Sequence, residues 1–328
     1  MYIRWLSGID VEKALPVSEA VAAVKDAYIS ATRGDVLQPM RMKLDVERED
    51  GVHLLMPSHQ SSLGRSAVKI VSVFPGNVRR NKPVISGIVA LFDGETGAPL
   101  AVMDASVFTA IRTGAASGAA TAALARPDAR VLAVIGAGAQ APYQALTVGS
   151  VRPIERIHLY NRTPSRAEDM ARWLQERRPD IDVSVFARVD QAVAEADVIC
   201  TATSAQEPVL FGEHLKPGVH VNAVGSFRPN MRELDREVLR RASRLFVEIK
   251  DAAWEESGEV ADAFEAGILG ADDLVEIGAV LAGDAPGRRD ADEITVFKST
   301  GIAAQDLHAA ARLFDRAEKE DIGTRLAV

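Results

Sequence analysis

The chain has 328 residues, of which 47% are hydrophobic and 26% are charged, and its formal net charge is −8. This length favours two domains, and the composition is sufficient for a buried core. The negative charge argues against a nucleic-acid partner, which would require a basic face. Cys200 is the single cysteine, so a disulfide within the chain and a cysteine metal cluster are both excluded.

From the sequence we expect neither a targeting segment nor a metal site. The start, MYIRWLSGID, lacks the apolar region of a secretory signal, and no stretch of 18 apolar residues is free of charge. The six histidines are dispersed without metal-ligand spacing. We therefore expect a cytoplasmic protein with no membrane partner and no metal, and we expect Cys200 to lie in the core.

The first part of the chain combines one helical stretch with short strands. The helical pattern covers residues 11–33, and five strand-like runs follow: RMKLDV, GVHLLMP, SAVKIVSVF, ISGIVALFD and APLAVMD. Polar breaks that contain glycine separate these runs, which favours a largely antiparallel sheet.

The chain changes character after residue 125. Short apolar runs alternate there with helical patterns: VLAVI, RIHLY, VSVF, VICTAT, HVNAVG and RLFVEI. This alternation predicts βαβ units with a parallel sheet that is buried on both faces, so the expected fold class is α/β. A last run, ITVFKSTG, precedes a helical tail at 303–319, which we expect to pack back against the first part of the chain.

The segment GAGAQA at residues 136–141 matches the dinucleotide fingerprint G-x-G-x-x-G/A. It follows the strand VLAVI and opens a helix, which is the context the motif requires. Gly136 permits the tight turn, Gly138 lets the backbone approach a pyrophosphate, and Ala141 lets helix and strand pack closely. The amide groups at the start of the helix then face the phosphates. A plain strand–helix turn is the alternative.

The residues at the end of the next strand bear on the choice of cofactor. The chain reads HLYNRTPSRA there, with Asn161 where the fingerprint usually has an acid for the ribose 2′-hydroxyl. Arg162 suits a 2′-phosphate through charge-assisted hydrogen bonds, and Thr163 and Arg166 lie near it in sequence. NADP(H) is favoured, and a solvated surface arginine beside NAD is the alternative.

Three cationic residues stand out in the first part of the chain. Arg41 opens a strand, and Arg112 precedes a Gly/Ala/Ser run that can approach another backbone or a cofactor closely. Lys69 lies in a strand between Val68 and Ile70, so it either points outward or is buried for a purpose. The alternation by itself leaves both orientations open, and a surface role for all three residues is the alternative.

Several motifs together resemble the ornithine cyclodeaminase/mu-crystallin family. They are Arg41, Lys69, RTGAAS, GAG-x-QA, NAVGS-x-RP and TVFKS, and they run in the family's order over nearly the whole chain. The resemblance implies a Rossmann domain at 119–302, inserted into a mixed α+β substrate-binding and dimerisation domain formed by 1–118 and 303–328. It also implies a homodimer and a small substrate that is an amino acid or its imine.

The resemblance also implies roles for individual residues. Arg41, Lys69 and Arg112 become the cations of the substrate site. The implied cofactor contacts are Thr113, Gly136, Gly138, Ala139, Gln140, Asn161, Arg162, Thr163 and Ser299, with Ser299 near the nicotinamide and Glu256 at the substrate rim. These roles are physically consistent, because guanidinium forks bind a carboxylate in bidentate fashion. A desolvated Lys69 close to two arginines should have a lowered pKa suited to protonating an imine.

One position separates the activities of the family. The cyclodeaminases carry an aspartate two residues after the glycine of NAVG, whereas this chain has Phe227, which cannot transfer a proton. The resemblance is therefore closest to the ketimine (pyrroline-2-carboxylate) reductase branch.

The expected activity is NADPH-dependent reduction of a cyclic ketimine carboxylate, either Δ1-pyrroline-2-carboxylate to L-proline or Δ1-piperideine-2-carboxylate to L-pipecolate, with NADH as the alternative cofactor. Three alternative functions remain: reductive amination of a 2-oxo acid as in alanine dehydrogenase, ornithine cyclodeamination, and binding of NADPH and a small ligand without catalysis.

Overall fold

The computed structural model describes residues 2–242 and 244–327. The strands are β1 Tyr2–Leu6, β2 Met42–Val46, β3 Gly51–Gln60, β4 Arg65–Val73, β5 Ile85–Asp93, β6 Pro99–Asp104, β7 Val131–Ile135, β8 Arg156–Tyr160, β9 Asp182–Val185, β10 Val198–Thr201, β11 His220–Ala223, β12 Leu245–Val247, β13 Leu274–Glu276, β14 Thr295–Lys298 and β15 Thr324–Ala327. The helices are α1 Gly8–Ala14, α2 Val17–Thr32, α3 Ala105–Leu124, α4 Ala141–Val151, α5 Pro164–Arg177, α6 Val189–Val193, α7 Arg236–Ala242, α8 Lys250–Glu256, α9 Gly258–Glu265, α10 Ile277–Ala282 and α11 Ala303–Glu320.

The chain divides into two compact units. The first unit comprises Met1–Arg112 and Ile302–Val328, and the second comprises Thr113–Gly301. The boundary between the units at Arg112 lies inside α3, the helix that also contains the expected boundary at 118/119. No helix in the described residues is both long enough and apolar enough to span a membrane.

The first unit contains a mixed seven-stranded sheet in the order β15-β1-β6-β5-β4-β3-β2. The strands β2 to β6 pair antiparallel with their neighbours in sequence, as the polar breaks predicted. β1 pairs parallel with β6 and antiparallel with β15. The two flanking strands were not predicted; all four residues of β15 are exposed, so no alternation of apolar and polar residues announces it.

The expected helix at 11–33 was wrong in its extent, because two helices form there. α1 ends at Ala14, and α2 begins at Val17 after Pro16. Proline has no N–H to donate, and it disfavours the helical conformation of the residue before it. α1 has its own start signal, in which the Ser7 and Asp10 side chains each accept a hydrogen bond from the other residue's backbone N–H.

The two faces of the first sheet differ in their surroundings. One face is covered by α11, which contacts β3, β4 and β5 and also packs against α2. On the other face Met42 pairs with Leu55, and Ile88 pairs with Ile70. Large apolar side chains on this second face are exposed, among them Trp5, Met42, Leu44, Ile88 and Leu326. Extended exposed apolar surface of this kind typically marks a protein–protein contact.

The second unit is a Rossmann-type layer structure. Its eight strands are all parallel and follow the order β13-β12-β14-β11-β10-β7-β8-β9. Every residue of β7, β10, β11, β12 and β14 is buried, as predicted for a sheet covered on both faces. The strand order reverses between β7 and β10, which places the topological switch point at the carboxyl ends of these two strands. The predicted α/β fold class is confirmed.

Candidate active site

Lys69 is buried in the first unit, where it faces the first turn of α11. It lies in β4 on the same face as Ala67 and Val71, and only 2% of its surface is exposed. Its Nζ lies 2.7 Å from Oδ2 of Asp306, which is completely buried on α11. The orientation that strand alternation left open is therefore inward.

Arg112 is held by two consecutive residues of α11. Its Nε lies 3.2 Å from Oδ1 of Asp306, and its Nη1 donates to Oε1 of Gln305 at 2.8 Å. Gln305 in turn donates from Nε2 to the hydroxyl of Tyr28 at 2.6 Å. The guanidinium plane is thus set by two partners on α11, and Tyr28 on α2 in turn holds one of them, Gln305. Sequence reasoning missed Asp306 and Gln305, and the one available signal was a polar pair inside the otherwise apolar stretch AAQDLHAAA.

Several charged atoms of this cluster make close contacts but no aligned hydrogen bonds. Among the described residues, Nζ of Lys69, Nε of Arg112 and both carboxylate oxygens of Asp306 are buried without a hydrogen-bond partner. Buried polar atoms are normally paired, so a group left in this state calls for an explanation. The Asp306 oxygens are ion-paired with both cations, whereas the N–H donors of Lys69 and Arg112 suit a ligand that brings an anionic group and a proton acceptor.

The environment of Lys69 changes its acidity. Burial lowers the pKa of Lys69 to about 7, the positive charges of Arg112 and Arg41 act in the same direction, and Asp306 opposes them. Both protonation states are therefore populated near neutral pH, which is the condition for an effective general acid or base. The three cations singled out in the sequence are thus electrostatically coupled, because Arg112 and Arg41 both lower the pKa of Lys69.

The glycine turn of the second unit has the geometry that the fingerprint requires. Gly136 has φ +108°, and a Cβ atom there would lie 2.5 Å from the carbonyl oxygen of Ala202, so only glycine fits. A Cβ at Gly138 would meet no atom within 4 Å. The turn therefore packs tightly on one side and leaves space on the other.

The donors beside this space suit a phosphate group. Within the described residues, the N–H groups of Gly138, Ala139 and Gln140 have no hydrogen-bond acceptor, and α4 begins without a side-chain cap. Oγ1 of Thr113 is likewise buried without a partner in the described part of the chain. Unpaired N–H groups at a helix start attract anions. The three N–H groups at the start of α4 fit the pyrophosphate of a dinucleotide.

Asn161 links the glycine turn to the end of β8. Its Oδ1 accepts from the N–H of Ala137 at 3.1 Å, and its Nδ2 donates to the carbonyl of Thr163 at 2.8 Å. Arg162 and Thr163 are exposed beside it. A neutral amide thus makes the hydrogen bonds at this position, and the next residue in the sequence, Arg162, is cationic.

Ser299 and Glu256 are both buried in the second unit. Ser299 follows β14 and donates from Oγ to Oε1 of Glu248 at 2.8 Å. Glu256 ends α8 and is 4% exposed. Glu248 also accepts from the N–H groups of Thr300 and Gly301, so it shapes the segment after β14; sequence reasoning missed it.

Gly114 explains part of the RTGAAS segment. A Cβ at Gly114 would lie 2.5 Å from the carbonyl oxygen of Tyr143, and Thr147 Oγ1 donates to the Gly114 carbonyl at 2.6 Å. The glycine therefore allows α3 to approach α4 closely, in agreement with the expected close backbone approach.

Two further positions limit the chemistry available. Burial raises the pKa of the Cys200 thiol to about 12, so it is not an activated nucleophile. Phe227 follows β11 and is half-buried, with the guanidinium carbon of Arg228 5.3 Å from its ring centroid. Among the described residues, no group of three or more His, Cys, Asp or Glu side chains is arranged to hold a metal ion.

Comparisons with known proteins agree with this architecture. A Δ1-pyrroline-2-carboxylate reductase of Bacillus cereus is 40% identical over 324 residues, which cover 98% of each chain. The solved structure of Thermococcus litoralis Δ1-pyrroline-2-carboxylate reductase, in complex with NADH and L-proline, has a TM-score of 0.94 at 34% identity and covers 99% of this chain and 100% of its own. An archaeal alanine dehydrogenase dimer with bound NAD has a TM-score of 0.91 at 33% identity and covers 100% of this chain and 99% of its own.

The family assignment rests on a match that spans most of the chain. Residues 4–321 match the model of the ornithine cyclodeaminase/mu-crystallin family, which confirms the resemblance found in the sequence motifs. The chain therefore belongs to the ornithine cyclodeaminase/mu-crystallin family.

Proposed function

We propose that this chain is an NADPH-dependent reductase of cyclic ketimine carboxylates, which converts Δ1-pyrroline-2-carboxylate to L-proline or Δ1-piperideine-2-carboxylate to L-pipecolate. The observation that carries the proposal is the buried Lys69, with a pKa of about 7, beside Arg112 and Asp306. The chain is an oxidoreductase acting on C–N bonds, as its reductase and dehydrogenase relatives are.

The arginines bind the substrate carboxylate. A guanidinium offers two parallel N–H donors that match the two oxygens of a carboxylate. Gln305 and Asp306 hold the plane of Arg112, so part of the ordering entropy of that side chain is already lost before the substrate arrives. Arg41 supplies a second positive charge to the same carboxylate.

Lys69 supplies the proton. Reduction of a C=N bond adds a hydride to the carbon and a proton to the nitrogen, and the hydride comes from the bound nicotinamide cofactor. The Lys69 ammonium donates its proton to the imine nitrogen, and Asp306 holds the ammonium in place at 2.7 Å. In the reverse direction, neutral Lys69 accepts the proton from the amine.

The cofactor is held by the second unit, and its preferred form is NADPH. The N–H groups of the glycine turn and Thr113 bind the pyrophosphate, while Arg162 beside neutral Asn161 pairs with the 2′-phosphate. NADH is the alternative, since the solved reductase of Thermococcus litoralis holds NADH.

Arg162→Ala tests this preference. The variant should weaken NADPH binding by about 1.5–3 kcal/mol, the usual worth of a charged hydrogen bond, and change NADH binding little. Cofactor titrations by fluorescence measure both affinities, and Arg172→Ala, an exposed arginine on α5, serves as the control. Equal losses for the two cofactors would remove Arg162 from the phosphate site.

Three other functions compete with the proposal. Reductive amination of a 2-oxo acid uses the same carboxylate clamp with ammonia, and the archaeal alanine dehydrogenase favours it. Cyclodeamination needs an acid where this chain has Phe227, which ranks it lower. A protein that only binds NADPH and a small ligand has no need for a lysine with a pKa near 7.

A single panel separates these functions. Purified protein is given NADPH or NADH with each cyclic ketimine, or with pyruvate and ammonia, and is given L-ornithine in a parallel ammonia-release assay. We expect cofactor oxidation with a ketimine to exceed ornithine deamination by orders of magnitude. Comparable rates would mean that another acid replaces the missing one, faster turnover with pyruvate and ammonia would favour the dehydrogenase, and no turnover at all would favour the binding protein.

The proposal includes a homodimer. The exposed apolar face of the first sheet supplies a surface for self-association, and the archaeal alanine dehydrogenase is a dimer. Sedimentation should give twice the 35.2 kDa mass of the chain, and a monomer at micromolar concentration would contradict this assignment.

A further inference from the structure

One buried carboxylate joins the segments that follow β10 and β11. Glu233 is completely buried, and its Oε1 accepts from the N–H and the Oγ1 of Thr203 at 2.7 and 2.8 Å. Its Oε2 accepts from Oγ1 of Thr201 at 2.9 Å and from the N–H groups of Gly225 and Ser226 at 2.7 and 3.3 Å. Five donors therefore converge on one side chain from two different strand ends.

The chemistry of these contacts requires an acceptor without hydrogens. All five partners donate, and an ionised carboxylate is the side chain that only accepts. The pKa of Glu233 is raised by burial and by the negative charge of Glu259, while the positive charge of Lys298 and the hydrogen bonds from Thr203 oppose this rise. Lys298 is itself buried and donates to the carbonyl and the hydroxyl of Ser226 at 2.6 and 2.5 Å. An amide at position 233 would direct an NH₂ group at another donor.

The position of this carboxylate is at the switch point of the sheet. Thr203, which Glu233 holds, comes directly after Ala202, whose carbonyl packs against Gly136. On the other side, Gly225 lies so close to Thr203 that a Cβ atom would overlap its backbone. Glu233 thus holds a short segment that lies between the glycine turn and the end of β11.

A dinucleotide lies across the carboxyl edge of such a sheet, with one mononucleotide on each side of the switch point. Asn161 and Arg162 at the end of β8 mark the adenosine side. The segments after β10 and β11 consequently receive the nicotinamide mononucleotide half.

We propose that Glu233 is a positioning residue for the nicotinamide half of the cofactor, holding the ends of β10 and β11 at the spacing that this half requires. The inference rests on the proposed function in that it assumes a bound nicotinamide dinucleotide. It does not depend on which ketimine is the substrate.

The experiment compares the whole cofactor with a fragment that lacks nicotinamide, using Glu233→Gln and the exposed Glu255→Gln as the control. The ligands are NADPH and 2′-phospho-ADP-ribose, together with NADH and ADP-ribose. In Glu233→Gln we expect affinity for the fragments to change less than about twofold, affinity for the whole cofactor to fall roughly tenfold, and kcat to fall by a similar factor. The control should match the wild type in its affinity for the fragments, its affinity for the whole cofactor and its kcat.

If Glu233 has a purely structural role, Glu233→Gln should weaken binding of the fragment and of the whole cofactor equally. That result would overturn the inference, as would unchanged binding and kcat.

Should Glu233→Gln fail to fold, Thr203→Val provides a second test, because it removes one donor and leaves the carboxylate. It should weaken binding of the whole cofactor about threefold and leave binding of the fragment unchanged. A wild-type protein that binds no nicotinamide dinucleotide would contradict the proposed function itself, which keeps the two failures distinct.

Discussion

Lys69→Met should lower kcat for ketimine reduction by roughly 10²- to 10⁴-fold, the range usually lost with a positioned general acid. Methionine is close to lysine in length and apolar, so it can occupy the same space in β4. Asp306 keeps its contact with Arg112, at 3.2 Å, so the carboxylate is not left without a counter-charge. The fold and the cofactor affinity should therefore be retained, and the loss should appear in turnover.

The pH profile shows whether the loss reflects a proton donor. Because the pKa of Lys69 is lowered to about 7, the ammonium that donates the proton is depleted as the pH rises through 7. In the wild type, kcat/KM for reduction should fall over that interval, and kcat/KM for amine oxidation should rise. Neither rate constant should change with pH in this way in Lys69→Met. The exposed Lys82→Met serves as the control. Two results would exclude Lys69 as the donor: turnover above about a tenth of the wild-type value in Lys69→Met, or a pH profile of Lys69→Met that matches the wild-type profile.

Arg112→Lys should lower kcat/KM by roughly 100-fold although the charge is kept, which corresponds to about 3 kcal/mol for charged hydrogen bonds lost from the bidentate fork. An ammonium cannot offer two parallel donors to a carboxylate, and it also cannot keep the contacts that Arg112 makes with both Gln305 and Asp306. The loss should affect the substrate and leave cofactor affinity unchanged.

Steady-state kinetics at fixed saturating NADPH, together with cofactor titration, provide the measurement. Arg48→Lys is the matched control, because the Arg48 side chain is 94% exposed in the first unit. Near-normal turnover in Arg112→Lys would remove Arg112 from the carboxylate site. A parallel loss of cofactor affinity would point instead to a general disturbance of α3.

Much of the fold could be predicted because its signals are local. The strand-like runs of β3 and β4, bounded by polar breaks that contain glycine, and the apolar runs of β7, β10 and β12 are visible within single segments. The glycine turn is equally local, because the positive φ of Gly136 restricts that position to one residue type.

The sequence by itself thus determined the fold class and the family, and it singled out the glycine turn and the three cations of the first unit as candidate site residues. Tertiary structure alone decided which way Lys69 points and what holds it. Asp306 lies far along the chain from Lys69 in a tail whose pattern predicted only a helix, and no local property distinguishes a buried acid there from a solvated one.

The same reason accounts for the other omissions. Glu233 binds donors from two strand ends distant in sequence, and β15 exists as a strand because β1 pairs with it. A carboxylate acquires its function from the donors that the fold brings to it, and an edge strand acquires its structure from its neighbour. Neither interaction is encoded in the residues adjacent along the chain.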